Sequence, residues 1–413
     1  MIRKIIFFAA LWLMSAAAEA QTYMPNLLGA LNDTLNENSA LLYFDGSLWT
    51  INDGGNSNIL YRIDTAAPYN IRQKILLPNA PNRDWEALTQ SNGHIFIGDF
   101  GNNNGNRQNL MVFRLAKSDI LAINSQFPDV DTLLGVDSIT FSYSDQASFA
   151  NLPNNNNFDC EAFVFYADSL HLFSKNWQNN QCKHYVLPAD TGNFSAQLRD
   201  SFNTTFLVTD ASIDSATGNL ILVGYSGSTG SCSAYLFFDY ADSHFFGGQN
   251  TLLSLPHALQ MSQLEGVALY NGTAGWTSGE RFQRAGFNTA PRLFGFDFSA
   301  YFPADTSGNP PLSAHLRQKG RQSTMEAILL AYPNPADTHI SLIINNLNAD
   351  ILANTVVVWR TIDGRLLQKK PIFLLPEQAV QLALPTNSPK TLILQVIDAS
   401  SGQILGSQLI LRK

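Results

Sequence analysis

The chain has 413 residues, 14% of them charged, and a formal net charge of −8. That length has room for one large domain and one small one. The acidic balance and the lack of a basic stripe exclude a nucleic-acid backbone as partner, while abundant Asn, Gly, Ser, Thr and aromatic residues suit an all-β exported protein with polar turns.

Residues 1–20 read as an export signal. Arg3 and Lys4 give a positive start, Ile5 to Ala17 an apolar core, and Ala18-Glu19-Ala20 a cleavage box, so the mature chain is expected to begin at Gln21. The apolar run is short for a membrane span, no later stretch is long or apolar enough to span, and no Cys follows the box to carry lipid. Tyr23 to Asn36 is read as an edge strand held in reserve for the last repeat, because that repeat shows only three strands of its own.

From Glu37 onward one pattern keeps returning. Its clearest copies are Asp84-Trp85-Glu86-Ala87-Leu88, Asp159-Cys160-Glu161-Ala162-Phe163 and Leu264-Glu265-Gly266-Val267-Ala268, with weaker copies opening at Glu37 and Asp210. Each is an acid, a small residue and an apolar strand, followed by a second strand and a third. The acids are about 50 residues apart, with one wider gap of 75 between Glu86 and Glu161. Repeated short antiparallel strands at that spacing point to propeller blades, which bury both faces only by stacking around an axis. Five blades are counted. A sixth would have to lie in the wide gap, whose extra residues read better as a fourth strand (Ser138 to Tyr143) plus loops. The competing fold is a β-sandwich with similar hairpins, which does not require an acid at one fixed position.

The loops after the second strands include Asn52-Asp53-Gly54-Gly55, Gly98 to Asn106, Lys175-Asn176-Trp177, Tyr225-Ser226-Gly227 and Ser278-Gly279-Glu280, and strand order gathers them on the face of the repeated acids. Cys160 and Cys182 stand before the first and third strands of one unit, at the same end, and a disulfide between them is expected, with Cys232 free. Residues 300–330, with Pro303, Gly308, Pro310 and Pro311, form a linker after a propeller spanning 21–299. Residues 331–413 then restart short strands around an Asp363-Gly364 hairpin turn, as in a small Ig-like sandwich.

Two resemblances follow. Tyr332-Pro333-Asn334-Pro335 at the start of the last segment, Asp363-Gly364-Arg365 in its middle and Leu411-Arg412-Lys413 at its end resemble the C-terminal sorting domain of the type IX secretion system of Bacteroidota. That resemblance implies the type IX machinery as a partner, passage across the outer membrane, and a protein released or held at the outer cell surface. The front part, Glu37 to Phe298, resembles secreted propellers that accompany this sorting domain, through Asp84-Trp85-Glu86, Gly98-Asp99-Phe100-Gly101-Asn102-Asn103, Asp159-Cys160-Glu161-Ala162 and Leu264-Glu265-Gly266. It implies a fold and no reaction.

The chemistry rests on Glu37, Glu86, Glu161, Asp210 and Glu265. Carboxylates facing one channel repel unless neutralised. They could hold a hard cation such as calcium, accept backbone N–H groups from neighbouring blades, or include a general acid of raised pKa. We expect the second role to dominate, with at most one cation among them. The histidines lack metal-ligand spacing, and His94 and His171 read as strand side chains; no Ser-centred nucleophile motif occurs. Trp49, Trp85, Trp177 and Trp276 serve packing between blades or a binding face. The expected function is a non-catalytic binding module for a glycan, a peptide or another surface protein; the alternative is a hydrolase or lyase acting on polysaccharide or phosphoester.

Overall fold

The computed structural model describes residues 21–124, 127–284 and 287–302, and, further on, 328–332, 339–345, 355–361, 365–372, 380–386, 389–398 and 404–411. The chain divides into two compact units, Met1–Lys319 and Gly320–Lys413. Among the described residues, no helix is long and apolar enough to cross a membrane.

The first unit is a five-bladed β-propeller. The innermost strands of the blades are Asn38–Phe44, Trp85–Gln90, Cys160–Tyr166, Leu207–Ile213 and Gln263–Leu269. Each pairs with an antiparallel second strand and then a third. Stacked blades bury both faces near the axis, so the second strands Ser47–Asn52 and His94–Asp99 are almost wholly buried, polar Thr50, Asn52 and Asp99 included. The outer strand Ile71–Leu76 is half exposed and alternates buried with open positions. Asp45 and Gly46, both at positive φ, make the tight turn between the first two strands of blade 1.

Ring closure follows from the cores. Five separate apolar clusters fill the five gaps between successive blades, the last joining Leu41, Leu48 and Tyr61 of blade 1 to Ala268 and Leu293 of blade 5. The reserved N-terminal segment does its expected work: Asn26–Ala30 pairs antiparallel with Arg292–Asp297 as the outer strand of blade 5, and Gln21–Thr22 adds to the edge of blade 4. Among the described residues, no sixth blade occupies the wide gap. Val136–Tyr143 is the outer strand of blade 2, while the helix Lys117–Ala122 puts Ile120 into the core between blades 1 and 2 and the short strand Asp131–Thr132 pairs with the edge of blade 1. Blades 2 and 3 join at the rim by parallel pairing of Ile139–Tyr143 with Gly192–Ala196, so their strands form one eight-stranded sheet. Phe302, placed in the linker by sequence, still packs in the gap between blades 4 and 5.

The expected Cys160–Cys182 disulfide is not formed; Cys160, Cys182 and Cys232 are free and buried. Strand Ser169–Ser174 runs between the first two, and two interstrand spacings of about 4.8 Å exceed the reach of a disulfide. The residues also face opposite ways: Cys160 lies in the cluster between blades 2 and 3, Cys182 in that between blades 3 and 4.

In the second unit, strands Ile328–Tyr332, His339–Asn345 and Val380–Ala383 form one sheet, and Leu366–Ile372, Thr355–Thr361, Thr391–Asp398 and Ile404–Leu411 another. Ile340 and Leu342 of the first share a core with Trp359, Leu392 and Leu394 of the second, as in a sandwich. Of the sorting motif, Tyr332 ends the first strand; Pro333, Asn334, Pro335, Asp363, Gly364 and Lys413 lie outside the described residues, as do residues 1–20.

Candidate functional site: an acid-lined axial cavity

Each inner strand carries an irregularity near its start. The ladder skips a residue between Trp85 and Ala87, Cys160 and Ala162, Val208 and Asp210, and Leu264 and Gly266, and slips from Ser39 to Leu42 in blade 1. A bulged residue leaves the ladder and its side chain is re-aimed. Glu86, Glu161 and Glu265, the skipped residues of blades 2, 3 and 5, thereby line a cavity of about 410 Å³ at the propeller axis, and Ser39 of blade 1, still paired with Ile51, lines it too. The residue at or just after the end of each second strand adds a further tier of Asp53, Lys175, Tyr225 and Glu280. In blade 2 that position is Phe100, which turns into the core between blades 2 and 3.

The repeated acids therefore divide. Glu86, Glu161 and Glu265 meet at the cavity, each no more than 5% exposed. Glu37 is exposed and accepts from Asn56 Nδ2 at 2.6 Å; Ser39 holds its expected place. Asp210 sits one residue beyond the bulge, where Thr209 stands, and is fully buried. It alone of the five accepts neighbouring backbone N–H groups: Val267 of blade 5 at 2.7 Å, Leu41 of blade 1 at 3.4 Å, and its own neighbour Ala211 at 2.8 Å. Ser39 and Thr209 instead donate to backbone carbonyls of Glu86 and Leu264, at 2.7 and 2.6 Å.

The cavity acids are short of donors. Glu86 has Ser39 Oγ at 3.4 Å from its carboxylate. Gln263 Nε2 serves two acids at once, Glu265 at 2.8 Å and Glu280 at 2.5 Å. Glu161 alone has a cation, Lys175, whose Nζ is 2.6 Å away with both side chains about 5% exposed. The same ammonium lies 5.0 Å from the Trp177 ring and 5.3 Å from that of Tyr225. Beneath the rim, Asp159 accepts from Asn102 N at 2.6 Å and Trp177 Nε1 at 2.7 Å, which fixes both loops.

Burial and mutual repulsion favour the protonated form of these groups. Burial, then the charges of Asp53 and Glu161, push Glu86 well above the usual carboxylate range. Burial also raises Glu280 strongly and Glu265 to about 7, against the pull of Lys175 on both. Asp84, beside the cavity, is raised to about 7 by burial and by Asp53, with Arg107 pulling the other way. On Glu161, burial outweighs Lys175; the ammonium keeps its own proton because it faces Glu161, Glu265 and Asp159 together.

Asp53, Asp84 and Glu86 each offer one carboxylate oxygen, all within 4.8 Å of one another. Oxygens about 2.3–2.6 Å from a shared calcium lie no farther apart than roughly 5 Å, so the set fits a hard cation. Two glycines make the convergence feasible. A Cβ at Gly54 would strike Asp84, and one at Gly101 would strike both Glu86 and Asp84. Asp53, Asp84, Lys175 and Glu280 are not among the five acids expected at this site from the repeat, although Asp84 stands in the repeat motif and Asp53, Lys175 and Glu280 lie in the loops expected on this face.

No protein-family model and no curated protein matches the chain. Among solved structures, it resembles the PQQ-bound aldose sugar dehydrogenase of Streptomyces coelicolor, at 10% identity and TM-score 0.36, over 65% of this chain and 96% of that one. It also resembles a family 117 glycoside hydrolase of Zobellia galactanivorans, at 9% identity and TM-score 0.35 over 73% and 98%. A third likeness is to the exo-β-1,3-galactanase of Phanerochaete chrysosporium, at 13% and 0.34 over 84% and 89%. Each is a likeness of overall chain path and brings no residue role with it.

Proposed function

We propose that the protein is an exported binding module whose axial cavity takes up a hard divalent cation and, through it, the oxygen atoms of a ligand such as a glycan. The observation that carries this reading is charge: five carboxylates and a single ammonium line one cavity. Like charges so confined at neutral pH need protons or a cation between them. Asp53, Asp84 and Glu86 would hold the ion, and its remaining coordination positions would face the ligand. Isothermal titration of the metal-free protein with calcium tests this: one site is expected, and Glu86→Gln is expected to weaken it at least tenfold. Equal affinity in the variant removes the site.

Export belongs to the same proposal. It is supported by the signal-like residues 1–20 and by the sorting-domain features at Tyr332, Pro333, Asn334, Pro335, Asp363, Gly364 and Lys413. The type IX machinery is the expected carrier, and deleting 331–413 should leave the propeller in the periplasm. One observation favours the hydrolase alternative: Asp84 and Glu265 are both held near 7, where a carboxyl can serve as general acid.

A further inference from the structure

His171 and His184, on the second and third strands of blade 3, form a buried chain outside the axial cavity. His171 Nε2 lies 3.1 Å from the carbonyl oxygen of Tyr166, His171 Nδ1 lies 2.9 Å from His184 Nε2, and His184 Nδ1 lies 3.0 Å from Asp200 Oδ1. Both imidazoles are 1% exposed or less. The two ends of this chain, a carbonyl and a carboxylate, are acceptors. Three links therefore need three protons, and two neutral imidazoles bring two.

We propose that His171, His184 and Asp200 form a proton-operated clamp, closed when a third proton sits on His184 and open at one link when that proton leaves. Closed, His171 is neutral and donates from Nε2 to Tyr166, while His184 donates from Nε2 to His171 and from Nδ1 to Asp200. The charge belongs on His184 because it alone adjoins a carboxylate. Burial brings His171 down to about 3, so it stays neutral; burial also lowers His184, with Asp200 opposing. The fold thus binds the third proton more weakly than a free imidazole does, and the clamp closes on the acid side of the ordinary histidine range.

The charged groups around the pair all come from the outer strand and one turn. Asp200 favours the third proton. Arg199 opposes it, and so does His244, whose Nε2 is 3.4 Å from Arg199 Nη1. From the turn Phe245–Gly247, the Phe245 ring packs 5.1 Å from both imidazoles and Phe246 lies 5.9 Å from His184. Tyr166 flanks His171 on the inner side, with Tyr240 beyond it. When the proton leaves, the link to Asp200 opens. That carboxylate is 27% exposed and can take water instead, whereas the other two links are sealed. Arg199, the ladder's skipped residue beside Asp200, contacts Ser243 and His244, so release reaches the turn as well.

The test uses the full chain labelled with nitrogen-15 in histidine. Ring resonances of His171 and His184 should show three hydrogen-bonded protons at pH 5 and two at pH 8. Amide exchange over residues 243–248, corrected for its intrinsic pH dependence, should be about fivefold faster at pH 8, the factor for one lost hydrogen bond. Asp200→Asn can donate its amide to His184 Nδ1 and should hold two ring protons and slow exchange at both pH values. The same proton count at pH 5 and pH 8 in the unsubstituted protein overturns the clamp, and so does an undiminished pH response in Asp200→Asn.

Discussion

Lys175→Met deletes the one ammonium among five carboxylates while keeping an unbranched side chain of similar reach. It strands Glu161, which is 3% exposed and, among the described residues, has its one side-chain hydrogen bond from Lys175 Nζ at 2.6 Å. Breaking a buried ion pair from one side costs about 3–5 kcal/mol. Glu161→Gln leaves an ammonium still facing Glu265 and Asp159, so it should cost less, about 1–2 kcal/mol. The double variant buries no unpaired charge from this pair and should lose about 1–2 kcal/mol, giving a coupling energy of about 4 kcal/mol. Urea unfolding of the four proteins at pH 7.5 measures the cycle. Lowering the pH should shrink the loss in Lys175→Met, because burial already holds Glu161 well above its usual range and the stranded carboxyl takes a proton. A loss below about 1 kcal/mol in Lys175→Met, or additivity within about 0.5 kcal/mol, would refute the reasoning.

Asp210→Ala leaves the buried N–H groups of Val267 and Leu41 without an acceptor and should cost about 2–5 kcal/mol, while Asp210→Asn keeps an acceptor oxygen and should cost about 1 kcal/mol, both read from urea unfolding. Stability should also depend on pH in metal-free buffer. Asp84 and Glu265 hold protons in the fold up to about 7, but ionise near 4 when unfolded. The folded state binds more protons between those values, so stability falls as pH rises from about 4 to 7 and levels off above. A Tm higher at pH 8 than at pH 5 would contradict that sign.

The fold was legible because blades repeat, and each repeat carries its own apolar strands. The acids were legible only where the acid is the bulged residue itself, at Glu86, Glu161 and Glu265. Glu37 and Asp210 matched by proximity in sequence; register gives the skipped position of blade 4 to Thr209, and the cavity lining gives the place in blade 1 to Ser39. Asp84 and Glu280 needed the cavity to be seen, since each gains its role from acids far away in the chain. Sequence places Cys160 and Cys182 at the same end of blade 3, but not the strand Ser169–Ser174 that keeps them apart. The His171–His184 contact joins neighbouring strands of one hairpin, yet a spacing of 13 residues resembles no ligand motif.

Calcium titration of the propeller, made metal-free and followed at pH 8 and pH 5, tests the central claim most directly. One ion should bind at pH 8, raise the Tm and release protons. Affinity should fall at pH 5 as Asp84 and the other cavity acids take protons, and Gly101→Ala should abolish binding because its Cβ would displace Glu86 and Asp84. No bound ion at pH 8, or binding indifferent to both pH and Gly101→Ala, would contradict it.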